Sequence, residues 1–221
     1  KNGIDKEIVI LTATSGDTGK AALEGFADVE GIRIIVFFPE DGVSPVQKLQ
    51  MVTQEGKNTC VVGIHGNFDD AQTAVKTIFT DNELKKELDE KGFIFSSANS
   101  INIGRLVPQV VYYFQAYLKM AAQGEIKLGE EINVTVPTGN FGNILAGYFA
   151  KKMGLPVKTF ICASNINNVL TDFFTTGVYN KNRPFHVTKS PSMDILVSSN
   201  LERLLCLSAS QEKTKELMAD L

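Results

Sequence analysis

The amino-acid sequence predicts an α/β protein in which helices cover both faces of parallel sheets. Apolar segments of strand length alternate with amphipathic helical segments along most of the 221 residues, which is typical of parallel α/β architecture. Residues 32–38 are almost entirely apolar, as expected of a strand that is buried on both faces. Glycine-containing turns at residues 12–19 and 137–143 each join a strand to a helix, which is the connection that this architecture repeats.

The first half of the chain predicts three strands, and a helix follows each of them. Their expected bounds are strand 7–11, helix 19–28, strand 32–38, helix 44–55, strand 59–64 and helix 69–79. The polar and charged residues 80–92 then predict an exposed helix that breaks the alternation. We therefore place a domain boundary just after it, with a smaller α/β domain at residues 1–95 and part of a larger domain at residues 96–221.

The second half predicts two further strands among longer helices. The expected bounds are helix 103–122, strand 132–136, helix 144–153, strand 157–163 and helix 167–175. Gly154 and Pro156 end the helix at 144–153. A less regular segment runs to about residue 190, residues 194–208 predict a helix, and residues 211–221 predict a charged helical end.

Composition excludes several classes of function. The 25 acidic residues outnumber the 22 basic ones, and no basic block exceeds a Lys-Lys pair, so nucleic acid is not an expected partner. The apolar stretch at 106–122 is too interrupted by polar residues to span a membrane, and no signal peptide is visible. The three cysteines and two histidines lack metal-binding or triad spacing, so we expect no metal site, reduced thiols and a cytoplasmic location.

The two glycine-containing turns are candidates for anion binding. Backbone N–H groups at a helix N-terminus point toward a ligand there, and the helix dipole favours negative charge. The same residue types also serve ordinary helix capping, so one such turn leaves both interpretations open. Two of them in one chain favour ligand binding.

Four motifs carry a resemblance to a known family. They are TATSGDTG at residues 12–19, HGNFDDAQ at 65–72, SANSINIGR at 97–105 and PTGNFGN at 137–143. In these motifs the chain resembles the threonine synthases, which are pyridoxal-phosphate enzymes of the tryptophan-synthase-β (fold type II) family. The resemblance implies a fold type II architecture and pyridoxal 5'-phosphate as cofactor. It also implies a lyase of threonine biosynthesis that converts O-phospho-L-homoserine and water to L-threonine and phosphate.

The resemblance also assigns residues to the cofactor and the substrate. The residues expected to hold the cofactor are Gly139, Asn140, Phe141, Gly142 and Asn143 at its phosphate, and Asn102 near its ring hydroxyl. Those expected to face the substrate are Ser15, Gly16, Asp17, Thr18, Gly19, Asn99, Ser100 and Arg105. Asp17 would repel the substrate's anionic groups, so we expect it to cap the helix or orient a neighbour.

Arg105 is the candidate for the substrate phosphate. Its planar guanidinium suits a phosphate group. A cation in the first turn of a helix at 103–122 would also oppose the helix dipole unless an anion lies there.

The lysine that would complete the site has no match in this chain. In the family a lysine in an SFKD-like motif, upstream of the TSGDTG turn, holds the cofactor as a Schiff base, and no lysine here has that context. Lys20 lies on the first turn of a helix and is not expected to replace it. We therefore expect an internal fragment, truncated at both ends and inactive by itself, with no catalytic residue of its own.

Two alternatives to a threonine synthase stay open. Another fold type II enzyme, an amino-acid dehydratase or a β-replacing synthase, would keep the anion-binding turns but would not need Arg105. A non-enzymatic phosphate-binding α/β domain would need no lysine at all.

Overall fold

A computed structural model describes residues 5–14, 16–100 and 102–219 and divides the chain into two compact units. The first unit comprises residues 1–99 and the second comprises residues 100–221. The boundary that the sequence predicts, after residue 95, falls inside the strand Phe93–Ser97. This strand pairs with the first strand of the chain, so it belongs wholly to the first unit.

The first unit contains a four-stranded parallel sheet. Its strands are β1 (Glu7–Ala13), β2 (Ile32–Pro39), β3 (Thr59–Ile64) and β4 (Phe93–Ser97). Their order across the sheet is β3-β2-β1-β4, and every pairing is parallel. Its helices are α1 (Asp17–Phe26), α2 (Pro45–Val52), α3 (Phe68–Thr80) and α4 (Asn82–Glu90).

Both faces of this sheet are covered by helices, as the sequence predicts. Successive side chains of a strand point to opposite faces, so β1 and β2 contribute to two separate cores. On one face Ile10 and Ile34 pack with Leu23 of α1 and other apolar residues. On the other face Val9 and Leu11 pack with Val75 of α3 and its neighbours. Burial on both faces explains why residues 32–38 contain almost no polar side chain.

The second unit contains a two-stranded parallel sheet and six described helices. The strands are β5 (Ile132–Pro137) and β6 (Val157–Ala163). The helices are α5 (Ile103–Leu106), α6 (Val110–Ala122), α7 (Gly142–Lys152), α8 (Val169–Thr176), α9 (Leu201–Ser208) and α10 (Gln211–Ala219). Leu106, Leu145 and Leu170 are fully buried at the centre of its core.

Three sequence-based expectations differ from the structure. The short strand β4 was not expected, because its residues follow a charged helix and end in two serines. The helix expected at 103–122 changes to a 3₁₀ turn at Val107–Gln109, since Pro108 has no N–H to donate. The helix expected at 194–208 begins only at Leu201, because Asp194 and the residues after it are engaged in side-chain hydrogen bonds.

Within residues 5–14, 16–100 and 102–219, no helix is long and apolar enough to cross a membrane. The last two residues of the expected helical end at 211–221 lie outside the described residues.

Candidate cofactor and substrate sites

The loop after β5 leads directly into α7 in the second unit. It therefore lies at the carboxyl end of a parallel strand, where α/β proteins bind their ligands. Phe141 is the residue before the helix and has a left-handed backbone conformation, with φ of 63°. Phe141, and not Gly139 or Gly142, thus supplies the positive φ of this loop. A Cβ at Gly139 would lie 2.8 Å from Ile195 Cδ1, so the end of the Ile195 side chain would have to shift.

Two carbonyl groups of this loop are tied to the segment that precedes α9. The Ser198 hydroxyl donates to the Gly139 carbonyl. The Asn140 carbonyl accepts from the Asn200 backbone N–H at 3.1 Å and from Asn200 Nδ2 at 3.0 Å. Both carbonyls are therefore directed toward one side of the loop.

The N–H groups of the loop are left available to a ligand. Among the described residues, the backbone N–H groups from Gly139 to Ile144 have no hydrogen-bond acceptor, and no side chain caps the start of α7. Consecutive free N–H groups, a left-handed residue and a helix N-terminus together form a concave site for an anion. These donors are neutral and lie at a helix N-terminus, so they fit the phosphate of pyridoxal 5'-phosphate.

The side chain of Asn143 is held by helix α6 and its preceding turn. The Tyr113 hydroxyl lies 2.8 Å from Asn143 Oδ1 and 2.9 Å from the Asn143 carbonyl, and Asn143 Nδ2 donates to Gln109 at 2.9 Å. Burial raises the pKa of Tyr113 to about 12, so its hydroxyl stays protonated. Asn143 is therefore expected to reach a phosphate through its backbone N–H more than through its side chain.

The predicted residues Ser100, Asn102 and Arg105 lie around the short helix α5. Asn102 caps this helix by accepting from the Gly104 N–H at 2.9 Å. Ser100 accepts from Asn200 Nδ2 at 3.1 Å through its hydroxyl and from Arg203 at 2.9 Å through its carbonyl. Arg105 lies in the single turn of α5, so it does not oppose the dipole of a long helix, contrary to the sequence-based expectation.

Arg105 keeps an electrostatic feature that suits an anion. Arg105 is exposed as a whole residue, but neighbouring atoms partly desolvate its guanidinium. This desolvation lowers the pKa of Arg105, and the charge of Tyr112 opposes the shift. An anionic ligand beside it would compensate for the lost solvation.

The turn after β1 in the first unit is organised by a threonine. The Thr14 hydroxyl accepts from the N–H groups of Gly16 and Gly19, each at 2.9 Å, and donates to the Gly16 carbonyl. These two glycine N–H groups are therefore engaged inside the turn. The Thr18 hydroxyl has no partner among the described residues and is the donor most open to a substrate here. Ser15 lies outside the described residues.

Asp17 and Asn99 also have contacts inside the first unit. Asp17 is exposed at the start of α1 and accepts from Gln47 Nε2 at 2.7 Å, which fits the expectation that it orients a neighbour. Asn99 is buried, and its amide bonds both the N–H and the carbonyl of Ala13. The structure thus gives Asn99 the task of fixing the end of β1, and only its remaining amide hydrogen could serve a substrate.

An apolar cavity of about 440 Å³ lies in the second unit beside Phe141. Phe160, Cys162 and Phe174 are among its lining residues, none of which is charged in the described part of the chain. Burial raises the pKa of the Cys162 thiol, although a hydrogen bond with the Thr138 side chain opposes the rise. This cavity has no features of a phosphate site.

Comparison with known proteins gives the family. Residues 1–213 match the pyridoxal-phosphate dependent enzyme family, and the chain belongs to it. Pyridoxal 5'-phosphate is therefore the cofactor of its family, and the free N–H groups of the loop after β5 are consistent with binding the phosphate of this cofactor.

Its individual relatives carry threonine synthase names. A human protein named threonine synthase-like 1 is 52% identical over 220 residues, which are 96% of this chain and 29% of that protein. The threonine synthase of Schizosaccharomyces pombe is 42% identical and is matched over 93% of this chain and 41% of its own length. The structure of a pyridoxal-phosphate-bound threonine synthase from Brucella melitensis is 44% identical, with a TM-score of 0.80, over 97% of this chain and 44% of that one.

The chain thus spans less than half the length of these relatives. It is a threonine synthase-like domain with the expected α/β fold. Three residues of the candidate sites, Thr14, Ser198 and Asn200, are not among those that the sequence predicted. Thr14 carried a signal, since it is the hydroxyl residue nearest the strand end in TATSGDTG. Ser198 and Asn200 carried none, because their contacts join positions about 60 residues apart.

Proposed function

We propose that this chain is the anion-binding part of a cytoplasmic threonine synthase. The full reaction consumes O-phospho-L-homoserine and water and yields L-threonine and phosphate. The observation that carries the proposal is the row of free N–H groups from Gly139 to Ile144 at the start of an 11-residue helix. The names of the relatives at 40–45% identity support the choice of reaction.

The loop after β5 is proposed to hold the cofactor phosphate. When bound, pyridoxal phosphate supplies an electron sink that makes bonds at the β and γ carbons of an amino acid labile. The residues of this chain hold the cofactor in place and compensate its charge. Gly139 to Asn143 donate backbone N–H groups to the phosphate, and Asn102, at the start of α5, is assigned to the ring hydroxyl. The helix dipole of α7 adds partial positive charge at the phosphate.

The remaining candidates are proposed to bind the two anionic groups of the substrate. In the first unit the Thr18 hydroxyl is assigned to the carboxylate, with Gly16, Asp17 and Gly19 shaping the turn around it. Ser15, which lies outside the described residues, is proposed to face the substrate as well. In the second unit Arg105 is assigned to the substrate phosphate, because a guanidinium can donate two parallel hydrogen bonds to phosphate oxygens. Asn99 and Ser100 are assigned supporting positions beside these groups.

A second candidate is another pyridoxal-phosphate enzyme of the same fold, acting on a different amino acid. It is favoured by the higher identity, 51–53%, to proteins named threonine synthase-like 1 than to those named threonine synthase. Such an enzyme would use the cofactor loop and the first-unit turn but would not depend on Arg105.

The test uses the complete gene product loaded with pyridoxal phosphate. O-phospho-L-homoserine should give threonine and phosphate in equal amounts. Arg105→Leu should lower kcat/KM for this substrate roughly 30-fold to 1000-fold, which corresponds to about 2 to 4 kcal/mol of lost charge-assisted contact. Binding of an amino acid without phosphate should change little.

Arg33→Leu is the matched control. Arg33 is an exposed arginine at the start of β2, paired with Glu7, and its loss should leave turnover unchanged. Equal losses for both amino acids in Arg105→Leu would assign this residue to the fold or the cofactor. Unchanged turnover would favour the second candidate.

A further inference from the structure

We propose that Ser198 and Asn200 are positioning residues that aim the N–H groups of the cofactor loop at the phosphate. The proposal rests on the proposed function of that loop. It assigns a role to a segment about 60 residues further along the chain, whose sequence, SSN at residues 198–200, belongs to none of the motifs discussed above.

Peptide geometry links the direction of each bound carbonyl to the direction of the N–H group that follows it. In a planar trans peptide, the C=O of one residue and the N–H of the next point in opposite directions. The Gly139 carbonyl is directed to the Ser198 hydroxyl, so the Asn140 N–H is directed away from it. The Asn140 carbonyl is directed to Asn200, so the Phe141 N–H likewise points away.

Asn200 is well placed to fix this orientation, because it is fully buried and all its polar groups are engaged. Its Nδ2 donates to the Asn140 carbonyl and to the Ser100 hydroxyl, and its Oδ1 accepts from Arg203. Arg203 in turn donates to the Ser100 carbonyl at 2.9 Å. A buried polar group that is fully hydrogen-bonded has one favoured orientation, since any other leaves partners unsatisfied.

The segment that carries Ser198 is itself held in place. The Tyr179 hydroxyl accepts from the Ser198 N–H at 2.7 Å and donates to the Leu196 carbonyl at 2.8 Å. Upstream, the buried Asp194 carboxylate accepts from Asn165 at 2.7 Å and from the N–H and hydroxyl of Thr188. Both sides of Ser198 are therefore anchored inside the second unit, so its hydroxyl can hold the Gly139 carbonyl with little freedom.

A left-handed Phe141 makes such restraint useful. A non-glycine residue with positive φ is unfavourable by about 1 kcal/mol or more and persists where the surroundings enforce it. Without the two carbonyl contacts the Gly139 and Asn140 peptides could rotate, and their N–H groups would no longer converge on one anion.

The experiment compares Ser198→Ala, Asn200→Ala and the matched control Ser199→Ala in the complete gene product, purified without cofactor. Ser199 is the neighbouring serine, and in the described part of the chain its hydroxyl bonds the side chain of Asn140 alone, at 3.4 Å. Pyridoxal 5'-phosphate and inorganic phosphate are titrated by calorimetry, and the thermal midpoint Tm is measured with and without each.

Ser198→Ala should weaken binding of both ligands about tenfold, Asn200→Ala should weaken it more, and Ser199→Ala should match the parent. The increase in Tm on adding ligand should shrink in the first two variants. If Ser198→Ala lowers the unliganded Tm but keeps the parent's affinity for both ligands, its role is structural and the proposal is wrong. If Asn200→Ala does not fold, the comparison of ligand affinity between Ser198→Ala and Ser199→Ala tests the proposal by itself. A complete parent protein that binds neither ligand would overturn the proposed function itself.

Discussion

Replacing Gly147 by alanine is expected to destabilise the second unit, although alanine is the better helix former. Gly147 lies inside α7, where the change from glycine to alanine is ordinarily worth about 1 kcal/mol of added stability. Here an added Cβ would lie 2.7 Å from Phe160 Cε1 and 2.7 Å from Tyr113 Cζ. Both contacts are with ring atoms in the packed core, so the rings must move apart.

The expected magnitude follows from two opposing effects. Overpacking of a core by one methyl group costs about 1 to 3 kcal/mol, and the gain in helix propensity offsets about 1 kcal/mol of that. The net loss in the free energy of unfolding is therefore as much as about 2 kcal/mol. Because the Tyr113 hydroxyl also bonds Asn143, displacement of its ring should weaken phosphate binding at the start of α7 as well.

Urea unfolding followed by far-UV circular dichroism measures the difference. Gly25→Ala in α1 is the matched control, since a Cβ there meets no described atom within 4 Å. We expect it to raise the free energy of unfolding of the first unit by about 0.5 to 1 kcal/mol. If Gly147→Ala stabilised the second unit by a similar amount, the inference that Tyr113 and Phe160 leave no room for a Cβ at this position would be refuted.

Two further predictions concern single hydroxyl groups. Thr14→Val should destabilise the first unit by about 1 to 3 kcal/mol, because it leaves the buried Gly16 N–H without an acceptor and leaves the Gly19 N–H only the Gly16 carbonyl, at 3.1 Å. Thr14→Ser should lose much less, and equal urea midpoints for the two variants would contradict this. Since burial raises the pKa of Tyr113 from 10.0 to about 12, the unfolded chain loses this proton first, and stability should fall as pH rises from 10 to 12. Tyr113→Phe should remove this part of the pH dependence, and an unchanged slope in the denaturation midpoint would refute it.

The order and type of most elements could be predicted from the sequence because their signals are local. Apolar runs such as residues 32–38 identify buried strands, and Pro137 to Asn143 marks a turn into a helix. The proline at position 108 was also a local signal for the break between α5 and α6, and the apolar periodicity of the surrounding residues concealed it.

The candidate sites were less predictable, because their internal hydrogen bonds join distant positions. Sequence spacing identified the loop at 139–143 but not that its positive φ falls on Phe141, whose buried ring packs against Phe174. Sequence spacing could not show that the Asn99 side-chain amide hydrogen-bonds the Ala13 backbone, since the two residues are 86 positions apart. Ser198 was unremarkable in the sequence for the same reason.

The three free thiols divide the molecule into regions that a chemical reagent can tell apart. Cys60 is exposed on β3 and Cys206 is exposed on α9, while Cys162 is less accessible and its raised pKa keeps it as the unreactive thiol. A thiol reagent at neutral pH will therefore modify Cys60 and Cys206 quickly and Cys162 slowly. Because Cys162 lines the apolar cavity beside Phe141, its slow modification should depend on entry of the reagent into that cavity. The native chain therefore contains its own chemical probe beside the cofactor loop.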